Sequence, residues 1–547
     1  LELILQKALE VEPERRYSSA GGLESDLRRL LDGRPIVARA ASVSYRGRLF
    51  LRRNRVTSAA VGAVVLGLTI GLVLSLLGLD RARRAEAETE RAALLFSTQD
   101  LERRARNLWP ALPDQIEPME SWIEDAERVR DGLAPELATW LPTEIGPNDD
   151  GSNRTIESIA ADLFDPARRH GGLRDVRDRL ERARRVRAET VQAHADSWRA
   201  ALDRIRTDRR FEGLTFEPQV GLVPLGPDPR SGLEEFGLWG QTGELPRRDS
   251  STGELIQDHR SAVILVLLPG GRFRAGAQDL DPALPRYDAK ARSRHEWLGE
   301  DFWFDLDPFL IAKYELTHHQ FRGVAGYDPS FWQPGEVERE ERVPVSSRAP
   351  VETITQPEAR AFCQRLGLDL PTSVQHEYAT RGGTQTRYWW GDRLEDGAGK
   401  VATRWYGVDA WWIDDQGEPR HWDCYDFACP TGMYSPNPFG LYDMVGGIRE
   451  WCREVFWVER PVEEIDRRSG EWLAVRNDPF GNHYGVRGCS FVANPSLPGR
   501  SSARSDTLGR ESQNTIGFRA ARNLHGPWTR MDRDADNPGR HARRAGG

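Results

Sequence analysis

The chain has 547 residues, 39% of them hydrophobic and 29% charged, and a formal net charge of −8. That length accommodates several domains, and the mixture is ordinary for soluble globular material. Because acids outnumber bases overall, and Asp175, Asp178 and Glu181 interrupt the densest basic run, nucleic-acid binding is excluded as a main role.

Leu5 to Leu31 reads LQKALEVEPERRYSSAGGLESDLRRLL. This run resembles the last helices of bacterial serine/threonine protein kinases, KAL-x-x-DP-x-x-RY-x-S-x-x-L-x-x-DL. The resemblance implies the end of a kinase C-lobe over 1–41, with Arg16 at the arginine that in kinases pairs with the glutamate of an APE motif. HRD, DFG and a glycine-rich phosphate loop are absent, and the chain does not begin with Met. The expectation is a fragment of a membrane-anchored kinase, in which ATP and Mg2+ serve only the missing kinase part.

A basic juxtamembrane segment, 42–55, leads into Val56 to Leu79, 24 residues without a charge. That exceeds the roughly 20 residues needed to cross a bilayer's hydrocarbon core, so 56–79 is predicted to be a transmembrane helix with the bilayer as its partner. Gly33 to Arg55 holds seven arginines and no acid, whereas the far flank mixes Arg81, Arg83 and Arg84 with Asp80, Glu86, Glu88 and Glu90. The positive-inside rule then places the N-terminus in the cytoplasm of a single-pass cell-membrane protein and everything from Asp80 onward outside.

From 80 to 210 the pattern is helical. Leu173, Val176, Leu180, Ala183, Val186, Thr190, His194, Trp198, Ala201 and Ile205 recur at spacings of three and four, which predicts a bundle or coiled-coil stalk able to pair two chains. The stalk's only histidines, His170 and His194, do not form the H-x-x-x-H-x-E iron motif of ergothioneine-type sulfoxide synthases. The Gly/Pro-rich stretch 211–262, with PLGPDPRSGL at Pro224 to Leu233, reads as a connector.

Irregular backbone packed by aromatics is predicted for Pro436 to Trp451, PNPFGLYDMVGGIREW, because its apolar residues are interleaved with glycines rather than spaced by two or 3.6. Earlier blocks accompany it in order: the apolar run Val263 to Leu268, then Pro269-Gly270-Gly271-Arg272-Phe273, then Lys313-Tyr314-Glu315-Leu316-Thr317. Leu370-Pro371-Thr372 leads to Arg381-Gly382-Gly383, Tyr388-Trp389-Trp390-Gly391-Asp392 follows, and Gly517-Phe518-Arg519 closes the series. Together these resemble the formylglycine-generating enzyme (sulfatase-modifying factor) family over 263–523. The resemblance implies an α+β, C-type-lectin-like domain with much irregular structure. The charged, Gly-ended tail 524–547 is expected to be disordered.

In that family two cysteines just after an RGGS strand hold copper, since a thiolate pair selects Cu(I), and oxygen oxidises a substrate cysteine. Here the strand reads Val486-Arg487-Gly488-Cys489-Ser490-Phe491, the two cysteine positions fall on Ala493 and Pro498, and no cysteine follows Cys489. The resemblance therefore implies a domain without the oxidase chemistry; a sulfatase-modifying oxidase with unusual ligands is the competing reading. A family calcium site would keep Glu450 but has Gly447 where asparagine is usual, which makes Glu450 at most a weak calcium ligand. The expected role is a sensor domain that recognises an extracytoplasmic peptide, protein or glycan. The surface left by the oxidase cleft would supply Ser490, Asn494 and Arg504, with Trp389 and Trp390 at its rim. Arg519 is expected to brace the fold. Of five cysteines, Cys363 is read as an inert buried thiol, and Cys424, Cys429, Cys452 and Cys489 as disulfide candidates in an oxidising exterior.

Overall fold

A computed structural model describes residues 1–39, 42–140, 156–165, 170–240, 242–289, 291, 303–335, 345–397, 399–401, 412–413, 419–420, 429–455, 466–471, 483–492 and 499–524. The chain divides into two units, Leu1–Phe96 and Ser97–Gly547. In the first, α1 (Glu2–Ala8) and α2 (Ala20–Leu31) are followed by α3 (Val43–Arg53) and by α4 (Arg55–Asn107), whose C-terminal turns belong to the second unit. Ser19 caps α2 by accepting from the Gly22 amide, and buried Asp26 accepts from Tyr17 Oη at 2.8 Å and from the amides of Val37 and Ala38. Arg16 is exposed and turns its guanidinium to the carbonyls of Glu10 and Val11. Within α4, Arg55–Glu86 contains an 18-residue window of mean hydropathy 2.5, none of it buried within the protein, so this helix is long and apolar enough to cross a membrane.

The second unit joins helices to sheet. The predicted apolar stripe lies on α7 (Leu173–Arg187) and α8 (Ala195–Thr207), and of its ten residues all but His194 are buried. A π turn at Ala188–Gln192 separates the two helices, which is why three spacings of four follow one another there. The stripe does not form a free stalk: Trp198 and Ile205 share one core with the sheet strands below, and Trp198 sits 5.3 Å from the Phe236 ring. Arg204 clamps Glu234 with two hydrogen bonds of 2.5 and 3.0 Å.

The stretch read as a connector is folded. It supplies β1 (Leu222–Pro227) and β2 (Glu234–Leu238) to a five-stranded antiparallel sheet of order β1-β2-β3-β6-β13, completed by β3 (Ile264–Leu268), β6 (Phe309–Ala312) and β13 (Ala521–Asn523). Every residue of β2, β3 and β6 is buried, which explains the unbroken apolar run that marked β3. A second sheet of order β11-β10-β9-β12 contains β9 (Arg449–Val455), β10 (His483–Arg487), β11 (Arg504–Leu508) and β12 (Ile516–Gly517). Two further antiparallel pairs, β4 (Gly271–Arg274) with β5 (Trp303–Leu306) and β7 (Trp412–Ile413) with β8 (Pro419–Arg420), form separate two-stranded sheets. Three capped helices, α9 (His318–Ala325), α10 (Gln356–Arg365) and α11 (Ser373–Arg381), begin at Thr317, Thr355 and Thr372, each in a capping box.

Candidate functional site

Around the glycine-rich run before β9, five ionisable groups meet in the interior: Arg519, Glu450, His376, Glu315 and Asp443. Arg519, fully buried, donates from Nε and Nη2 to the two Glu450 oxygens at 2.7 Å each, and to the carbonyls of Ala312 and Tyr442. His376 Nε2 lies 3.0 Å from Glu450 Oε2. Burial opposes the Glu450 charge, but Arg519 and His376 outweigh it and hold the carboxyl down to about 2. Arg519 is thus the brace anticipated from its place in Gly517-Phe518-Arg519. A cation at Glu450 would have to displace partners that already fill both oxygens.

Glu315 lies beside this pair and accepts from the Ile448 amide at 3.0 Å. Burial, with the nearby Asp443 and Glu450 carboxyls, pushes it well above the usual carboxylate range. A Cβ on Gly447 would stand 2.8 Å from Glu315 Oε1, so glycine leaves the space that Glu315 occupies.

Asp443 has a left-handed backbone (φ 56°) and accepts from the Gly432 amide through Oδ2 at 2.7 Å, while Oδ1 has no hydrogen-bond partner among the described residues. Burial pushes its carboxyl up to about 6. An aspartate in the unfolded chain loses its proton near pH 4. Between these values the folded state holds a proton that the unfolded state releases, so stability falls as pH rises through the window and the full deficit stands above pH 6. Asp443→Asn, which suits a left-handed position, should raise the unfolding free energy by about 1 to 3 kcal/mol at pH 7.5 and hardly change it at pH 4. Denaturant titration at the two pH values checks this; equal gains at both would contradict it.

Around the strand end after β10, Arg487 reaches Glu377 Oε2 at 3.0 Å, Ser373 Oγ at 2.8 Å and the carbonyls of Ser502 and Ala503. Cys489 is buried against Trp389, Val401 and Val445, with Trp390 packed alongside, and burial pushes its thiol up to about 12. Trp390 stacks on Tyr388 at 4.9 Å and donates to the Arg393 carbonyl. The structure therefore brings Trp389 and Trp390 next to buried Ser490 through Cys489. Arg504 begins β11 opposite Arg487, half-buried and already partnered. Ala493, Asn494, Pro498 and Cys424 lie outside the described residues.

Copper held by thiolates does not fit Cys363, Cys452 or Cys489. Cys363 and Cys452 are buried free thiols with proton affinities raised by burial, which leaves Cys452 out of the disulfide candidates, and Cys489 is held protonated in an apolar cluster. Among the described residues no group of three His, Cys, Asp or Glu side chains is placed to share a metal ion.

Sequence reasoning missed two features. One is Lys313, buried between Asp228 at 2.9 Å and Glu235; the other is a cavity of about 450 Å³ between α6 (Ile156–Phe164), α7 and the ends of α9 and α10. The charges of the first looked like ordinary solvated residues in a connector. The second is assembled from five separate segments, which no local pattern records.

Residues 252–524 match the model of the sulfatase-modifying factor enzyme 1-like domain. Over 303 residues the chain is 27% identical to a formylglycine-generating enzyme of Thermomonospora curvata, covering 47% of this chain and 92% of that protein. It is 30% identical over 237 residues to the Mus musculus formylglycine-generating enzyme, of which it covers 58%, using 41% of its own length. A Bos taurus relative named inactive C-alpha-formylglycine-generating enzyme 2 is 31% identical over 256 residues, 40% of this chain and 80% of that one.

Proposed function

Because this chain belongs, through residues 252–524, to the sulfatase-modifying factor family, we propose that the domain is a non-catalytic, extracytoplasmic recognition module of a membrane-anchored serine/threonine kinase. The observation that carries the reading is that no cysteine follows Cys489, while Cys489 itself is buried and protonated, so the thiolate pair needed for Cu(I) has no source at its expected place. That the bovine relative is named inactive supports the idea that this fold is kept where the oxidase chemistry is not.

The ligand surface in this reading is the neighbourhood of Ser490 and Arg504, with Trp390 exposing part of its ring beside Trp389. Kinase attachment is supported by the Leu5 to Leu31 motif, and membrane anchoring by the apolar length of Arg55–Glu86. Alkaline phosphatase, active only outside the cytoplasm, should be active when fused after Arg210 and inactive when fused after Asp32. The reverse pattern would refute the topology on which an extracytoplasmic role depends.

A further inference from the structure

The cavity on the helical side of the second unit is the strongest feature that the family's chemistry does not touch, since much of its wall comes from residues before 252. Its volume, about 450 Å³, falls in the range of small-molecule sites. Ile159, Leu163 and Val324 give it buried apolar walls, and Trp109 and Tyr327 add aromatic ones.

The cavity is lined by three arginines and three carboxylates, and of the arginines Arg365 is the one without a hydrogen-bonded partner among the described residues. Arg106 is paired with Glu102 at 3.0 Å, and Arg179 with Asp175 at 3.1 Å, the latter also over the Trp109 ring at 4.5 Å. Asp162 and His170 are partnered as well. Arg365, at the last turn of α10, lines the cavity half-buried and makes no hydrogen bond or ion pair among the described residues. A half-buried guanidinium whose donors meet only water offers a planar anion a fork that it can pair with both oxygens. Burial pulls its proton affinity down, and the opposing pull of Tyr327 and Asp175 does not make up the difference.

We propose that this cavity binds a small organic acid, its carboxylate taken by the Arg365 fork and its apolar body lying against Trp109, Tyr327 and Val324. One guanidinium fork without a hydrogen-bonded partner suits a monoanion, and the neighbouring Glu102, Asp162 and Asp175 carboxylates repel a dianion. The site is independent of the recognition surface assigned above, because Ser490, Arg504 and Trp390 contribute nothing to it. Three of its residues, Glu102, Ala105 and Arg106, lie on α4.

The full chain in a non-ionic detergent is titrated calorimetrically with hexanoate and with 3-phenylpropionate, alongside 3-phenylpropanol and inorganic phosphate. At least one of the two acids should bind one per chain, and 3-phenylpropanol should bind at least about tenfold more weakly, the factor expected for a charge-assisted pair. Arg365→Gln should weaken the acid by at least about tenfold and Arg365→Lys by less, with unchanged melting. Arg199→Gln, on an exposed pair with Asp196, should leave binding as it was. The proposal is overturned if neither acid binds, if Arg365→Gln binds as well as the parent, if the alcohol matches the acid, or if phosphate binds more tightly than both acids. None of these outcomes bears on whether Ser490 to Arg504 forms a recognition surface.

Discussion

Arg519→Ala should lower the unfolding free energy by about 3 to 5 kcal/mol, the range for removing one partner of a buried ion pair. The guanidinium makes four hydrogen bonds in a site with no access to water: two to Glu450 and one each to the carbonyls of Ala312 and Tyr442. Ala312 ends β6, Glu450 lies in β9 and Tyr442 belongs to the glycine-rich run, so one side chain ties three segments of the second unit together. Without it Glu450 keeps only His376, whose proton affinity is lowered by burial, and Glu315, itself raised by burial and by the neighbouring carboxyls, crowds the same space. Arg519→Lys should recover only part of the loss, because one ammonium does not match both carboxylate oxygens and two carbonyls. Chemical denaturation monitored by circular dichroism measures both; a loss under about 1 kcal/mol for Arg519→Ala would show that the network is not what holds these segments.

A loss of the same order, about 3 to 5 kcal/mol, is expected for Lys313→Met, for a different structural reason. Lys313 follows β6 and is almost fully buried, with Nζ 2.9 Å from Asp228 and in contact with Glu235, which also accepts from Arg248 at 2.5 Å. Burial works against its charge, but the two carboxylates outweigh it and raise its proton affinity. Asp228 follows β1 and Glu235 lies in β2, so the triad fastens the two strands that precede the family-matching region to the sheet within it. Methionine fills the volume but removes the cation shared by two buried carboxylates, leaving Glu235 with Arg248 and Asp228 with Ser231 and the Arg230 amide. Adding Asp228→Asn and Glu235→Gln to Lys313→Met should return most of the stability, since the cost lies in uncompensated charge. If the triple variant is no more stable than Lys313→Met, the triad's contribution is packing instead.

What the sequence disclosed and what it hid follow one physical rule. Val263 to Leu268 announced a strand because β3 is covered on both faces, and Leu173 to Ile205 announced helix because one face is buried and the other wet. Arg519 stood out through its aromatic and glycine neighbours. β1 escaped because it is an edge strand, where Pro224 and Pro227 cost no ladder hydrogen bond, and because its register shifts between Pro224 and Gly226. β2 escaped because Glu234 and Glu235 look solvated until Arg204, Lys313 and Arg248 are seen around them. The bundle or coiled-coil expectation for 80–210 has the converse limit: a stripe shows that a helix buries one face, and the partner, here the core around Phe236, lies in another part of the chain. At the candidate site, Trp389 and Trp390 near Ser490 were legible through the motif blocks, whereas the protonated state of Cys489 depends on Val401 and Val445, which only the fold assembles around it.

Turnover of a cysteine-containing substrate peptide tests the central claim most directly. The purified chain, supplied with copper and oxygen, is incubated with a CxPxR-type peptide and the products are weighed by mass spectrometry. A buried, protonated Cys489 with no cysteine after it predicts an intact peptide thiol and no formylglycine above the protein-free control. Formylglycine formed in proportion to the protein added would contradict the account and make the domain an oxidase.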